Sequence, residues 1–254
     1  MTTTMVVLPT YNEIENLPLM VDVLLNLPVE DLKILVVDDN SPDGTGELAD
    51  ELAARHKGQV FVLHRQVKAG LGQAYVAGFK RAIAMQADYI IQMDADFSHQ
   101  PEYIPAMIEA AKTHDLVLGS RYAPGGSVDE SWSHFRKLLS GFANRLYLPL
   151  VLNVPFHDAT GGYRLWRRHT LIMDDLDRVR SNGYIFQVEM LYITHRLGFR
   201  IAEIPIHFPD RKRGQSKMDF RVQAEAALRA LQVRYRHRVL KPVMIPSHQN
   251  TPMH

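Results

Sequence analysis

Two carboxylates, Asp94 and Asp96, follow the apolar run Tyr89-Ile90-Ile91 in the segment MDADFSHQ. In an extended chain alternate side chains take opposite faces, so residues two apart project the same way. Like charges on one face repel unless something positive lies between them. A D-x-D pair at the end of a buried strand is therefore either a polar turn or a cation site, and its surroundings decide which. Other residues able to do chemistry hold comparable positions. Tyr11 and Glu13 in PTYNE, Asp39 in DDNSPDGT and Arg121 in GSRY each come after an apolar run.

Those runs alternate with amphipathic segments. The patterning predicts strands at Met5–Leu8, Lys33–Val37, Val60–Leu63, Tyr89–Met93 and Leu116–Gly119. It predicts helices over Glu13–Asn26 (capped by Asn12), Thr45–His56, Leu71–Met85 and Glu102–Lys112, with GYIFQVEM as a further, mostly apolar helix. KILVV shows no polar alternation and reads as a strand buried on both faces. Alternating strands and helices with short connections predict an α/β fold with a mostly parallel central sheet flanked by helices and a Rossmann-like nucleotide-binding half. Ligands of such sheets bind beyond the carboxyl ends of the strands, which is where the carboxylates and the arginine fall. That placement favours the cation site over the polar turn.

The totals exclude several classes. Of 254 residues, 46% are hydrophobic and 22% charged, as in ordinary soluble domains. A net charge of +1 gives no general attraction to nucleic acid or membrane, so any basic site is local. With no cysteine, disulfides and thiolate metal sites are excluded. The N-terminus lacks the pattern of a secretory signal, and no apolar run is long enough to span a bilayer. Residues 1–218 read as one domain, 219–241 as a basic amphipathic helix and 242–254 as a flexible tail.

The ordered set LPTYNEIENLP, VVDDNSPDGT, KAGLGQAYVAGF, MDADFSHQPEYIP, GSRY, DATGGYRLWRR, GYIFQVEM and DRKRGQSKM resembles the inverting, nucleotide-sugar-dependent glycosyltransferases of family 2, which have the GT-A fold. The match runs from about Met5 to Lys217 and is closest to the dolichol-phosphate (polyprenol-phosphate) mannosyltransferases, the branch that GQSKM marks.

The resemblance implies that Pro9, Tyr11, Glu13, Val37 and Asp39 wrap the nucleotide, with Asp39 accepting from a base N–H or a ribose hydroxyl. It implies that Asp94, Ala95 and Asp96 face the diphosphate, where Mg²⁺ or Mn²⁺ bridges the phosphates and offsets the charge that develops on the leaving group. Asp96 is then the main ligand, Asp94 lies nearer the ribose or sugar with a share in the metal, and Ser98 is a weak metal ligand acting directly or through water, whereas His99 is expected not to be a ligand but to cap the following helix or face solvent. Arg121 meets phosphate, Arg136 and Ser140 bind the acceptor's phosphate, and Arg211 and Lys217 bracket a basic loop over the donor. Gly70 and its neighbours in KAGLGQ are either a donor-side loop or a turn. Gln187 and Glu189 reach a sugar hydroxyl or an arginine such as Arg164.

The implied reaction transfers mannose from GDP-mannose to a polyprenyl (dolichyl) phosphate with inversion. The enzyme is expected to sit peripherally on the cytoplasmic face of a membrane, through its basic C-terminal helix and the apolar segment LYLPLVLNVPF, with room for a membrane-anchoring protein partner and none for nucleic acid. The rivals are the same fold using UDP-glucose or another nucleotide sugar, and an inactive sugar-nucleotide-binding protein. A Rossmann dehydrogenase is set aside because PTYNE stands where G-x-G-x-x-G is needed.

Overall fold

The computed structural model describes residues 2–210 and 220–243. In chain order the strands are β1 (Thr4–Thr10), β2 (Leu32–Asp38), β3 (Val60–His64), β4 (Tyr89–Gln92), β5 (Leu116–Ser120), β6 (Ser127–Val128), β7 (Arg164–Arg167), β8 (Ile201–Pro205) and β9 (His207–Phe208). The helices are α1 (Leu17–Leu25), α2 (Thr45–Arg55), α3 (Leu71–Ala84), α4 (Ile104–Ala111), α5 (His134–Phe142), α6 (Leu148–Leu152), α7 (Arg168–Asp174), α8 (Tyr184–Arg196) and α9 (Phe220–His237). A seven-stranded sheet has the order β3-β2-β1-β4-β7-β5-β8, and β6 and β9 pair as a small parallel ribbon. Every pairing in the main sheet is parallel except those of β7, which is antiparallel to both β4 and β5.

Alternation along β1 divides the core. Met5 and Val7 face α3 and α8, while Val6 and Leu8 face α1, α2 and α4. At Gly78, on α3, an added Cβ would lie 2.4 Å from Val7 Cγ1. The glycine lets α3 press onto the sheet where β1 and β2 meet. Because β1 lies between β2 and β4, the strand order reverses there, and a crevice opens beyond the carboxyl ends.

The strands expected from the sequence all form, extended by one to three residues or, at β4, trimmed by one. Two local expectations change. Asn12 does not cap α1: it adopts φ 61°, residues 13–16 form a turn, and Asn16 precedes the helix. The arginine-rich run that becomes β7 carries no strand pattern. It joins the sheet because Leu165 and Trp166 are buried and Arg164, also buried, donates to three backbone carbonyls: Gly161 at 3.0 Å, Ala159 at 2.9 Å and Gln187 at 2.8 Å.

One buried acid is held protonated. Burial pushes the Asp174 carboxyl up to about 8, against its bond with Thr194. The Thr194 hydroxyl lies 2.6 Å from Asp174 Oδ2 and 2.8 Å from the Met190 carbonyl. It can donate its single proton to only one of them, and a protonated carboxyl supplies the other bond. A carboxyl whose native pKa is raised contributes full stability below its unfolded value, near 3.8, and loses that contribution as pH rises through about 8. Asp174→Asn removes the titration. Its advantage over wild type should therefore grow with pH across that interval, by at most about 1.4 kcal/mol per pH unit. Urea unfolding at successive pH values measures the slope, and parallel profiles for the two proteins would refute it.

Candidate functional site

A cavity of about 230 Å³ opens at the carboxyl ends of β1, β2 and β4. Pro9, Tyr11 and Glu13 line it from β1 and the turn after it, Asp39 from the end of β2, and Asp94, Ala95 and Asp96 from the chain beyond β4. These seven are brought together as the sequence predicts. Lys68, Gly70, Leu71 and Ala74 complete the wall from α3 and the loop before it. Lys68 lies over Tyr11, its ammonium 3.3 Å from the centre of that ring. Val37 does not line the cavity. Its side chain lies in the core on the α3 side of β2.

Asp39 is buried and tied to its surroundings. Its backbone N–H donates to the Thr10 carbonyl at 3.0 Å. Its carboxylate accepts from Arg65 at 2.5 Å and from the Gly70 N–H at 3.1 Å. Gly70, with φ 90°, turns that N–H toward Asp39 just before α3 begins. KAGLGQ is thus a wall of the cavity.

Asp94 and Asp96 share the cavity, but strand alternation is not the reason. β4 ends at Gln92, and the two carboxylates sit in a wound loop where Phe97 has φ 62°. The Asp94 N–H donates to His99 Nδ1 at 2.9 Å, and Ser98 donates to Asp96 Oδ1 from its hydroxyl at 2.5 Å and its N–H at 3.0 Å. The Ser98 hydroxyl therefore orients Asp96. His99 corrects the sequence reading: it is buried, stacks on Tyr163 at 5.0 Å between centroids and serves the Asp94 loop.

Asp94 Oδ1 accepts from the buried Tyr75 hydroxyl at 2.7 Å, and its Oδ2 receives no hydrogen bond from any described residue. Among the described residues no cluster of three or more His, Cys, Asp or Glu could hold a metal alone. Two carboxylates at an open cavity fit a hard cation that draws its other oxygens from phosphate and water.

The expected acceptor residues form a second network. The Arg121 fork is turned onto Asp158, with Nε to Oδ2 and Nη2 to Oδ1 both at 2.7 Å, and Nη2 also donates to Thr160. Burial alone would raise the Asp158 carboxyl, but the adjoining Arg121 guanidinium more than offsets this and holds it below the ordinary range. Burial pushes Arg164 down to about 9, opposed by the Asp158 charge, so it stays a cation at neutral pH. Asn144 lies in a π-helical turn, 143–147, between α5 and α6. It donates to Thr160 Oγ1 at 2.9 Å and accepts from the Thr160 N–H, which docks the helix on the Asp158 loop. The Tyr122 hydroxyl meets Ser140 Oγ at 2.6 Å, and the Arg136 guanidinium covers the Trp132 ring at 3.5 Å and reaches Asp210. No sequence pattern marks Asn144 or Tyr75 as site residues, because an amide or phenol inside an apolar helix looks like filling.

Glu189 does not meet Arg164. It accepts from the Arg180 and Ser181 N–H groups, from Arg236 and from His237, tying α8 to α9. Burial raises its carboxyl, but these bonds outweigh that and hold it at about 2. Gln187 accepts from Gln92 at 2.6 Å in the core. Arg211 and Lys217 lie outside the described residues.

Residues 5–172 match the model of Glycosyl transferase family 2. Among curated relatives, an undecaprenyl-phosphate mannosyltransferase of Micrococcus luteus is 48% identical over 87% of this chain and 90% of its own. A polyprenol monophosphomannose synthase of Mycolicibacterium smegmatis is 47% identical over 85% of this chain and 80% of its own. Solved structures are more distant. Mannosyl-3-phosphoglycerate synthase from Rubrobacter xylanophilus is 19% identical, with a TM-score of 0.65, covering 100% of this chain and 80% of that one. Glucosyl-3-phosphoglycerate synthase from Mycobacterium tuberculosis, solved with Mn²⁺, UDP and product, is 19% identical at a TM-score of 0.59, over 92% of this chain and 80% of that one. These likenesses establish the GT-A fold.

Asp158→Ala strands two cations, Arg121 and Arg164, in a buried site. Removing one partner of a buried pair costs about 3–5 kcal/mol. Urea denaturation should show a loss of that order, and a loss below about 1 kcal/mol would mean that the network does not organise this half.

Proposed function

The chain belongs to glycosyl transferase family 2, and from that premise we propose that it transfers mannose from GDP-mannose to the phosphate of a polyprenyl lipid, with inversion and with a divalent cation. The named activities of its relatives support mannose and polyprenyl phosphate. The observation that carries the donor assignment is a single cavity with Asp39 at one end and Asp94 and Asp96 at the other.

Asp39, buried and fixed by Arg65 and Gly70, is suited to accept from a ribose hydroxyl or a base N–H. Tyr11 offers a ring face beside it, covered by Lys68. Asp94 and Asp96 would hold Mg²⁺ or Mn²⁺. When bound, the cation offsets the charge developing on the diphosphate. Arg136 and Ser140 on α5 would face the acceptor's phosphate, and Arg121 would frame that side by holding Asp158 and Thr160. Arg211 and Lys217 are proposed to approach the donor diphosphate.

A phosphate monoester has a second pKa of about 6, so it reaches the site mostly dianionic and needs no carboxylate base. The protein's task is to place that oxygen opposite the leaving group and keep two phosphates close. One displacement then inverts the anomeric carbon.

Two measurements test the donor. GDP should raise the melting temperature more than UDP does, and the reverse would favour a UDP-sugar donor. Asp96→Ala should abolish turnover and the Mn²⁺-dependent part of GDP binding in calorimetry while the protein stays folded. Unchanged metal dependence would refute the assignment.

The acceptor's chemistry and the surface support peripheral attachment to a membrane. No helix among the described residues is long and apolar enough to cross one. Phe135, Leu138, Phe142, Leu146 and Leu150 are exposed at helical spacing along α5 and α6. Leu228, Leu231, Tyr235 and Val239 form a second exposed row along α9 and the turn after it. Arg234 donates to the Val151 carbonyl at 2.6 Å, which joins the two helices. The apolar segment expected to face lipid divides, because Leu148, Leu152 and Val154 are buried while Leu146 and Leu150 are exposed. Lys137, Arg145, Arg234 and Arg238 accompany the rows, and no acidic residue occurs in 134–153 or 226–243. Such a face suits an anionic leaflet, where each basic residue contributes about 1 kcal/mol. Anionic liposomes should float the protein at low salt, and Leu138→Ser with Phe142→Ser should reduce this several-fold. Equal flotation with neutral lipids, or none with either, would refute attachment through this face.

A further inference from the structure

The hydroxyl of Tyr75 lies behind the cavity lining, against Asp94, in a position that no role above requires. Tyr75 is fully buried, and its ring packs parallel to Phe186 at 6.1 Å and near-parallel to Phe79 at 5.7 Å. A fully buried ring packed against two others has no room to swing, so its hydroxyl occupies one place. That place is 2.7 Å from Asp94 Oδ1.

The same helix begins at the other end of the cavity. The Gly70 N–H, at the entry to α3, donates to Asp39. Leu71 and Ala74 form the wall between, and Gly78 seats the helix hard against Val7. The two carboxylates at opposite ends are thus hydrogen-bonded to one rigid element, about one and a half turns apart.

We propose that Tyr75 is a positioning residue that presents Asp94 to the cation and, through α3, fixes its spacing from Asp39. By taking Oδ1, the Tyr75 hydroxyl sets the carboxylate rotamer and leaves Oδ2 toward the cavity. Binding of the nucleoside at Asp39 and of the cation at Asp94 then reinforce each other, because both need the same placement of α3. This inference rests on the reading of Asp94 and Asp96 as the cation's carboxylates.

The test is calorimetry of GDP and of UDP, each with and without Mn²⁺, on wild type and Tyr75→Phe. Phenylalanine keeps the ring packed against Phe79 and Phe186 and removes only the donor. Groups that orient a metal's ligands typically carry about 10- to 100-fold in affinity. For whichever nucleotide binds wild type more tightly, the expected result is unchanged affinity without metal and a loss of that size in the Mn²⁺-dependent enhancement. A variant that merely packed worse would weaken both arms together. Enhancement equal to wild type in Tyr75→Phe, or equal losses in the two arms, would overturn the proposal. If wild type itself shows no Mn²⁺ enhancement, the cation reading fails and this inference falls with it.

Discussion

The buried carboxylate of Asp158 is the contact on which the second half of the molecule depends. It accepts from three donors of Arg121 and from the Gly161 N–H, and its charge helps keep Arg164 a cation. Arg121 directly follows β5 and pairs with Asp158 in the loop before β7, which Arg164 begins, so the ion pair ties two neighbouring strands together. Arg164 in turn binds the backbone of α8, and Thr160 binds Asn144 in the π-helical turn. The sheet, α8 and the long helical segment of α5 and α6 are therefore referenced to a single charge. A buried charge is costly unless fully compensated. Here the compensation is complete on the Asp158 side, which is why the loop can be irregular and still fixed.

The donor half is organised differently. There the backbone does most of the positioning: three parallel strands end at one edge, the order reverses at β1, and a crevice opens there. Side chains then refine it through short local bonds, such as Ser98 to Asp96 and Gly70 to Asp39. A site set by topology leaves a strong sequence trace, because each strand end must carry its residue at a fixed offset from an apolar run. A site set by long-range side-chain bonds leaves little, because Asn144 lies in no motif and meets Thr160 only across 16 residues of chain.

That difference explains how much of the molecule is legible in its sequence. Strands β1 to β5, α3 and the cavity residues Tyr11, Glu13, Asp39, Asp94 and Asp96 are legible from apolar runs and the polar residues that end them, whereas Pro9 and Ala95 come from the family resemblance and β8 leaves no such trace. Strand alternation is an incomplete reason for Asp94 and Asp96 to share a side, since the strand stops at Gln92 and a loop with Phe97 at positive φ brings them together. β7 is hidden because its ends are arginines, and burying Arg164 requires three carbonyls that only the folded loop supplies. Glu189 is recognisable as a buried acid in need of a partner, but two of its partners lie on α9, 47 and 48 residues away. His99 has the look of a surface cap because nothing local announces that Tyr163 will stack on it.

Charge is distributed more unevenly than the total suggests. The net charge is +1, yet the cavity wall carries four carboxylates, Glu13, Asp39, Asp94 and Asp96, against one ammonium, Lys68. Arg65 neutralises Asp39 from behind, outside the lining. A diphosphate approaching such a wall meets like charge, and in a partly buried cavity the repulsion is poorly screened. A cation lodged at Asp94 and Asp96 would reverse the sign at that end while leaving Asp39 to accept from neutral donors at the other. The proposed dependence on a divalent metal thus rests on the electrostatics of the wall itself as much as on the leaving group. Arg145 in the π-helical turn and Arg234 and Arg238 at the end of α9 and just after it are exposed and line no part of that cavity, so the proposed lipid contact would not weaken the donor carboxylates.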